Sequence, residues 1–221
     1  MDVTILLPTL NEEDGIGPMI ERIRSTCHFD LQIVVADGGS TDKTLERARS
    51  AGAILLPISQ RGKAKAIGPA FQSIDTPYLV LVDSDMSYDP ADIQNVLEAL
   101  KEHEVCLGSR FMGAIEPGAM SPVNRAGNQA LSRLASVLYG RPVSDVCTGL
   151  WGFRKEAYKE IIIDSTHFEL EANFFAEISR LGLRLAEAPI TYRRRSGRSK
   201  LMIWDGVNIA AYLARKAFHI K

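Results

Sequence analysis

Continuous apolar runs alternate with helical patterns through the first half of the chain. Residues 3–7 form one such run, closed by Pro8, and residues 15–26 follow with Ile16, Met19, Ile20 and Ile23 on one helical face. Further strands are predicted over 32–36, 53–56, 78–82 and 105–108. Helices are predicted over 41–51, 63–73 and 90–101, the last with Ile93, Val96, Leu97 and Leu100 at core spacing. Apolar strands alternating with amphipathic helices indicate an α/β fold, a mostly parallel central sheet with helices on both faces. The rhythm breaks near Gly113. Beyond it the pattern predicts helices over 124–139, 155–162 and 171–181 and a turn-rich segment over 145–154. One or two short strands over 184–191 and an apolar-rich stretch over 201–221 complete the chain. No internal repeat or clear linker appears, so one domain is expected.

Polar residues collect where the strands end. The first exits into Pro8-Thr9-Leu10-Asn11-Glu12, the second into Asp37-Gly38-Gly39-Ser40-Thr41-Asp42, the fourth into Asp83-Ser84-Asp85 and the fifth into Ser109-Arg110. Ligands of parallel sheets bind at the carboxyl ends of the strands, so four polar exits on one rim point to a site.

Composition narrows the function classes. The 221 residues are 46% hydrophobic and 24% charged, with a formal net charge of −1. That excludes disorder as the main state and a chain that is basic throughout, so nucleic acid is not the expected partner. The balance hides a division. From Arg184 onward nine positive residues face only Glu187 and Asp205, a net of +7, while the preceding 183 residues carry −8. Cys27, Cys106 and Cys147 fit neither a disulfide framework nor a zinc site, and a reducing cytosolic setting is the simplest reading. No secretory signal and no apolar run of about 18 residues are seen.

Asp83-Ser84-Asp85 offers two carboxylates one residue apart, hard oxygen ligands suited to Mg²⁺ or Mn²⁺. Taken alone it reads more readily as a turn or capping pair ahead of Pro90. The 37–42 segment has glycines for close backbone approach and hydroxyls to cap a helix; alone it is an ordinary strand-to-helix turn. It is not the dinucleotide fingerprint, and no P-loop motif occurs. Arg61-Gly62-Lys63-Ala64-Lys65 can neutralise a diphosphate or can be a solvated basic turn. In Arg193-Arg194-Arg195-Ser196-Gly197-Arg198-Ser199-Lys200, five cations in eight residues call for an anionic partner such as phosphate, or lie solvated on a loop. The stretch after it reads equally as a packing helix or as an amphipathic segment. In the amphipathic reading Leu201, Met202, Ile203, Trp204, Ile209, Tyr212 and Leu213 enter a membrane interface, and Arg215, Lys216 and Lys221 face head groups.

Together these parts describe a site for a nucleoside diphosphate and one divalent metal beside a second anion site. The chain resembles the inverting family 2 glycosyltransferases and, within them, the polyprenyl-phosphate (dolichyl-phosphate) hexose synthases. The resemblance rests on Pro-Thr-Leu-Asn-Glu-Glu at 8–13, Asp-Gly-Gly-Ser-Thr-Asp at 37–42, Arg-Gly-Lys-Ala at 61–64 and Asp-Ser-Asp at 83–85. It continues through Gly-Ser-Arg at 108–110, Asp-Val-Cys-Thr-Gly at 145–149, Phe-Glu-Leu-Glu at 168–171 and Arg-Arg-Ser-Gly-Arg-Ser-Lys at 194–200. The motifs follow in register along nearly the whole chain.

The resemblance implies a glycosyltransferase A-type, Rossmann-like nucleotide-sugar fold with a catalytic domain over 1–200. Its donor half would span 1–112 and its acceptor half 113–200, with an amphipathic membrane-surface or packing helix over 201–221. By the same resemblance Pro8, Glu12 and Asp37 hold nucleobase and ribose, with Asn11, Gly38 and Ser84 in the same nucleotide-sugar set. Arg61 and Lys63 lie near the diphosphate, Asp83 touches ribose or donor sugar, and Asp85, with Asp83, holds Mg²⁺ or Mn²⁺. Asp145 and Glu169 line the donor-sugar pocket. Arg110 and Arg125 engage the acceptor phosphate, joined by Arg194, Ser199 and Lys200. Asp83, Asp85 and Arg125 are the implied catalytic residues. Relatives often carry an amide two residues after the metal aspartate, where this chain has Ser87.

The implied reaction is inverting displacement of a nucleoside diphosphate by a lipid phosphate. The donors are GDP-mannose, UDP-glucose or UDP-N-acetylglucosamine, and the acceptor is a polyprenyl or dolichyl phosphate. A phosphate monoester, with a second pKa of about 6, is already ionised and needs no strong base. His28 and His103 lie outside the rim motifs. The expected location is the cytoplasmic face of a membrane, with a membrane-anchoring subunit or a second copy as further partner. Two alternatives stay open. One is a family 2 transferase with a sugar-hydroxyl acceptor, served by Glu169 or Asp145 as base; the other is a non-catalytic nucleotide-sugar-binding membrane recruiter.

Overall fold

The computed structural model describes residues 2–56, 62–166, 168–196 and 203–219. One seven-stranded sheet organises them, in the order β3-β2-β1-β4-β6-β5-β7. Its strands are β1 (Val3–Thr9), β2 (Leu31–Asp37), β3 (Ile54–Leu55), β4 (Tyr78–Val82), β5 (Val105–Ile115), β6 (Leu150–Arg154) and β7 (Leu185–Tyr192). β1 pairs in parallel with β2 and β4, β2 with β3, and β5 with β7. Only β6 runs against both of its neighbours. The sheet is therefore mostly parallel, as the alternation predicts.

Side chains of β1 alternate between the two faces, as any strand requires. Val3, Ile5 and Leu7 join one apolar layer with Ile16, Met19, Ile20 and Ile23 of α1 (Glu13–Thr26) and Ile93, Val96 and Leu97 of α4 (Ile93–Ala99). Leu6 faces the other layer. There Ala64, Ile67 and Phe71 of α3 (Lys63–Ser73) meet Phe174, Phe175 and Ile178 of α7 (Leu170–Arg180). α2 (Thr44–Ser50) sends Ala48 into the first layer. α5 (Pro122–Tyr139) and α6 (Lys155–Glu160) send Ala135 and Ala157 into the second.

Three expectations are corrected. Residues 145–154, expected as turns, contain β6, which lies inside the sheet between β4 and β5. β5 does not stop at 108 but runs to Ile115, with a register irregularity between Ser109 and Ala114. The 90–101 helix is a 3-10 turn over Pro90–Asp92 followed by α4, because the Asp89 side chain caps Ala91 N–H and Pro90 starts the turn.

The last helix, α8 (Ile203–His219), packs on the body. Ile209, Tyr212 and Leu213, which only the amphipathic reading placed at a membrane interface, are buried in the second layer, as the packing-helix reading has it. Tyr139 Oη donates to Leu213 O at 3.0 Å, and the Tyr212 hydroxyl bonds Asp164. Lys216 Nζ lies 2.7 Å from Asp164 Oδ2 rather than facing a head group. The other side of α8 leaves Trp204 and Phe218 exposed, at 75% and 72%. Leu201, Met202 and Lys221 lie outside the described residues. Among the described residues no helix is long and apolar enough to cross a membrane.

Candidate active site at the strand exits

The carboxyl ends of β1, β2 and β4 meet on one rim, since all three are parallel. The first two exits are tied to each other. Asn11 N–H donates to Ser40 Oγ, and Asn11 Oδ1 accepts from Thr41 N, both at 2.8 Å. Glu12 N–H donates to Thr44 Oγ1 at 2.8 Å, and Gly38 N–H to Thr9 O at 2.7 Å. Asn11 adopts φ 52°, a left-handed conformation that asparagine tolerates. Pro8 is buried in β1, and Gly62 N–H, ahead of α3, bonds Gly38 O at 2.9 Å.

Asp37 closes its own turn. Its Oδ2 accepts from Gly39 N at 3.0 Å and Ser40 N at 2.9 Å, and its Oδ1 from the hydroxyls of Ser40 and Thr9. The carboxylate expected at the nucleobase thus also builds the loop.

The β4 exit is clamped by two glycines. A Cβ on Gly15 of α1 would fall 2.7 Å from Ser84 O, and one on Gly149 would fall 2.2 Å from Asp83 Oδ2. Neither position accepts a larger residue without moving the Asp83-Ser84-Asp85 loop. Asp83 N–H bonds Gly149 O at 3.1 Å, and the buried Ser84 hydroxyl points to Pro8 O. Met86 follows with φ 67°, a conformation costly for a side chain of its size.

Asp85 is only 6% exposed. Burial first, then the neighbouring Asp83 charge, raise its carboxyl above the ordinary range; Arg195 and Ser87 oppose that rise. Its Oδ1 accepts from Ser87 N at 3.0 Å and from the Ser87 hydroxyl. Ser87 therefore orients the aspartate. Asp85 Oδ2 lies 3.1 Å from Arg195, which also reaches Glu12 Oε1 at 3.6 Å.

Hard oxygen donors beside a group that already attracts a cation fit Mg²⁺ or Mn²⁺. Among the described residues no cluster of three or more His, Cys, Asp or Glu could hold a metal.

At the fifth exit two of the expected site residues pair with each other. Arg110, expected at the acceptor phosphate, is 5% exposed and forks onto Asp145, with Nε to Oδ2 at 2.7 Å and Nη2 to Oδ1 at 2.6 Å. Its backbone N–H donates to the same carboxylate at 3.0 Å, and Tyr192 stacks on its guanidinium. Asp145, expected in the donor-sugar pocket, is fully buried and taken up by this pair. Cys147 is a free thiol whose pKa burial pushes up to about 12.

The remaining residues sit on separate elements. Arg125 is exposed in the first turn of α5, whose Ser121 cap accepts from Asn124 N at 3.1 Å. A helix start without acidic residues, carrying an arginine, favours an anion. Glu169 is half-buried ahead of α7, where its carbonyl accepts from Asn173 N. Arg194, expected over substrate phosphates, donates to Pro117 O at 2.9 and 2.7 Å. Arg61, Ser199 and Lys200 lie outside the described residues, as does the side chain of Lys63. The sequence reading gave Arg195, Tyr192, Gly15 and Gly149 no role of their own. Arg195 stood within the basic run, but nothing in the run distinguished it.

Comparisons with known proteins place the chain among relatives. The family model described as Glycosyl transferase family 2 matches residues 4–162. Glycosyltransferase AglJ of Haloferax volcanii is 33% identical over 97% of this chain and 72% of its own length. A dolichyl-phosphate hexose transferase of the same organism is 33% identical over 90% of this chain and 86% of its own length. The low-salt glycan biosynthesis hexosyltransferase Agl6, also from Haloferax volcanii, is 34% identical, and this chain spans about half of it, 49%. Among solved structures, glucosyl-3-phosphoglycerate synthase from Mycobacterium tuberculosis, in complex with Mn²⁺, UDP-glucose and phosphoglyceric acid, superposes with a TM-score of 0.78 at 20% identity. That match covers 98% of this chain and 79% of the other. At that identity the likeness concerns the fold.

Proposed function

Because this chain belongs to glycosyl transferase family 2, we propose that it moves a hexose from a nucleoside diphosphate sugar to a polyprenyl phosphate, with inversion. The observation that carries the reading is the β4 exit, where Asp83 and Asp85 stand beside the joined β1 and β2 loops. The donor half would comprise 1–112, with Asn11, Glu12, Asp37 and Gly38 around the nucleoside. Asp85, with Asp83, would hold Mg²⁺ or Mn²⁺, which when bound supplies Lewis-acid stabilisation to the departing diphosphate. Arg125 would orient the acceptor phosphate at the start of α5. A phosphate monoester arrives ionised, so the chain need not supply a base. Asp145 supports this choice over a sugar-hydroxyl acceptor, because both its oxygens are engaged by Arg110. Arg110 then acts by fixing the wall of the site. Such an enzyme would work at the cytoplasmic face of a membrane.

The test is to incubate the protein and Mg²⁺ or Mn²⁺ with GDP-mannose, UDP-glucose or UDP-N-acetylglucosamine. Short polyprenyl phosphate and free sugars serve as rival acceptors, and the products are weighed. A hexosyl-phosphate lipid from one donor supports the reading. Transfer to free sugar alone overturns it.

A further inference from the structure

Residues 193–196 form a strap running antiparallel to the β4 exit loop. Tyr88 bridges Tyr192, Arg193 N–H donates to Ser87 O at 2.8 Å, and Ser196 N–H donates to Asp85 O at 2.7 Å. Side chains fasten the same segment. Arg193 pairs with Asp89, which also takes Arg22 at 3.1 Å. The strap delivers Arg195 to Asp85 Oδ2 and Glu12 Oε1.

This contact is unlike the buried ion pair of Arg110 and Asp145. Arg110 grips Asp145 through two nitrogens at 2.7 and 2.6 Å. Arg195 reaches Asp85 with one terminal nitrogen at 3.1 Å, and its buried Nε has no hydrogen-bond partner among the described residues. A buried donor left unmade is unfavourable, so the guanidinium is held by charge rather than by fit. Arg195 lies between the carboxylates of Asp85 and Glu12, and a divalent ion takes carboxylate oxygen directly.

We propose that Arg195 is a built-in stand-in for the divalent cation: guanidinium and metal are alternative occupants of Asp85 Oδ2, and metal loading releases Arg195 and loosens the strap across the β4 exit. The proposal rests on the reading of Asp85 as the metal ligand. Ser87 holds Oδ1 throughout, so the two cations compete for one oxygen. The strap would keep its backbone pairing and Arg193 but lose its central tie, over the exit a donor diphosphate must approach. Coupling of this kind is reciprocal, so weakening the guanidinium must strengthen the metal.

The test uses the whole chain and Mn²⁺ alone, following unbound Mn²⁺ by electron paramagnetic resonance. Arg195→Gln is expected to bind Mn²⁺ about three- to tenfold tighter than wild type. Arg195→Lys, which keeps the charge, is expected within about twofold of wild type. Trypsin cleavage after Arg193 and Arg194 should accelerate with Mn²⁺ in wild type and be fast without it in Arg195→Gln. Unchanged or weaker binding by Arg195→Gln overturns the proposal while Asp85-dependent binding keeps the metal reading. Equal tightening by both variants also overturns it. If wild type binds no Mn²⁺, or Asp85→Asn binds it as well as wild type, the metal reading and the proposal fall together.

Discussion

Asp37 and Asp85 stand at strand exits on either side of β1, and both are buried, at 1% and 6% exposure. The fold treats them differently. Asp37 is satisfied by donors within its own turn and by Thr9 of the adjacent strand. Asp85 has one oxygen fixed by Ser87 two residues on, and the other given to an arginine 110 positions away in sequence. The first carboxylate is part of the scaffold. The second is oriented by Ser87 and shares its other oxygen with a cation, which in the proposed reading suits a site that binds and releases a metal-bound diphosphate.

Substitutions separate the two roles. The largest effect is expected from Asp85→Asn, which keeps an acceptor for Ser87 and removes the charge. Transfer should fall about a thousandfold or more, with thermal stability nearly unchanged. Arg110→Ala should act in the opposite sense on the protein, leaving Asp145 buried without its partner and costing about 3–5 kcal/mol in denaturant unfolding. Asp37→Ala removes the acceptor for Gly39, Ser40 and Thr9 and should cost about 1–3 kcal/mol of stability, with a raised KM for donor. If Asp37→Ala melts like wild type while Asp85→Asn is destabilised, the contrast is reversed.

Arg125→Ala should raise KM for lipid phosphate about tenfold and leave KM for donor nearly alone, a split read from initial rates. The smallest effect belongs to Glu104, at the far end of β5 from the site. The Arg184 guanidinium beside it lowers its pKa from 4.5 to about 2. A carboxylate with a depressed folded pKa adds stability above its unfolded value of about 4.3, and that stability fades as pH falls through about 2. Arg184 is well exposed, so solvent screens the pair. Glu104→Gln should lower the melting temperature by no more than about 3 °C at pH 7, and by progressively less as pH falls toward and through about 2.

The legible parts of the sequence were those set by local pattern. The bounds of α3 and β4 follow from apolar spacing alone, and the polar exits of β1, β2 and β4 follow from where those runs stop. β6 was hidden because Leu150–Arg154 is short, carries Gly152, and earns its place by pairing with β4 and β5. The extension of β5 through Arg110 and Gly113 was hidden for a similar reason, since its partner is β7. The same limit applies at the site. The aspartates were visible as a spacing, but Arg110 meeting Asp145 and Arg195 meeting Asp85 are contacts across 35 and 110 positions. A basic run shows that anions are wanted and not which guanidinium reaches which carboxylate.

The most direct measurement is a crystal structure of the protein grown with Mn²⁺ and a nucleoside diphosphate, with the metal located by anomalous scattering. The account predicts one Mn²⁺ at Asp85 Oδ2, the diphosphate on it, the nucleoside between the β1 and β2 exits, and Arg195 displaced from the carboxylate. A metal bound away from Asp83 and Asp85, or a nucleotide seated elsewhere on the chain, would contradict it.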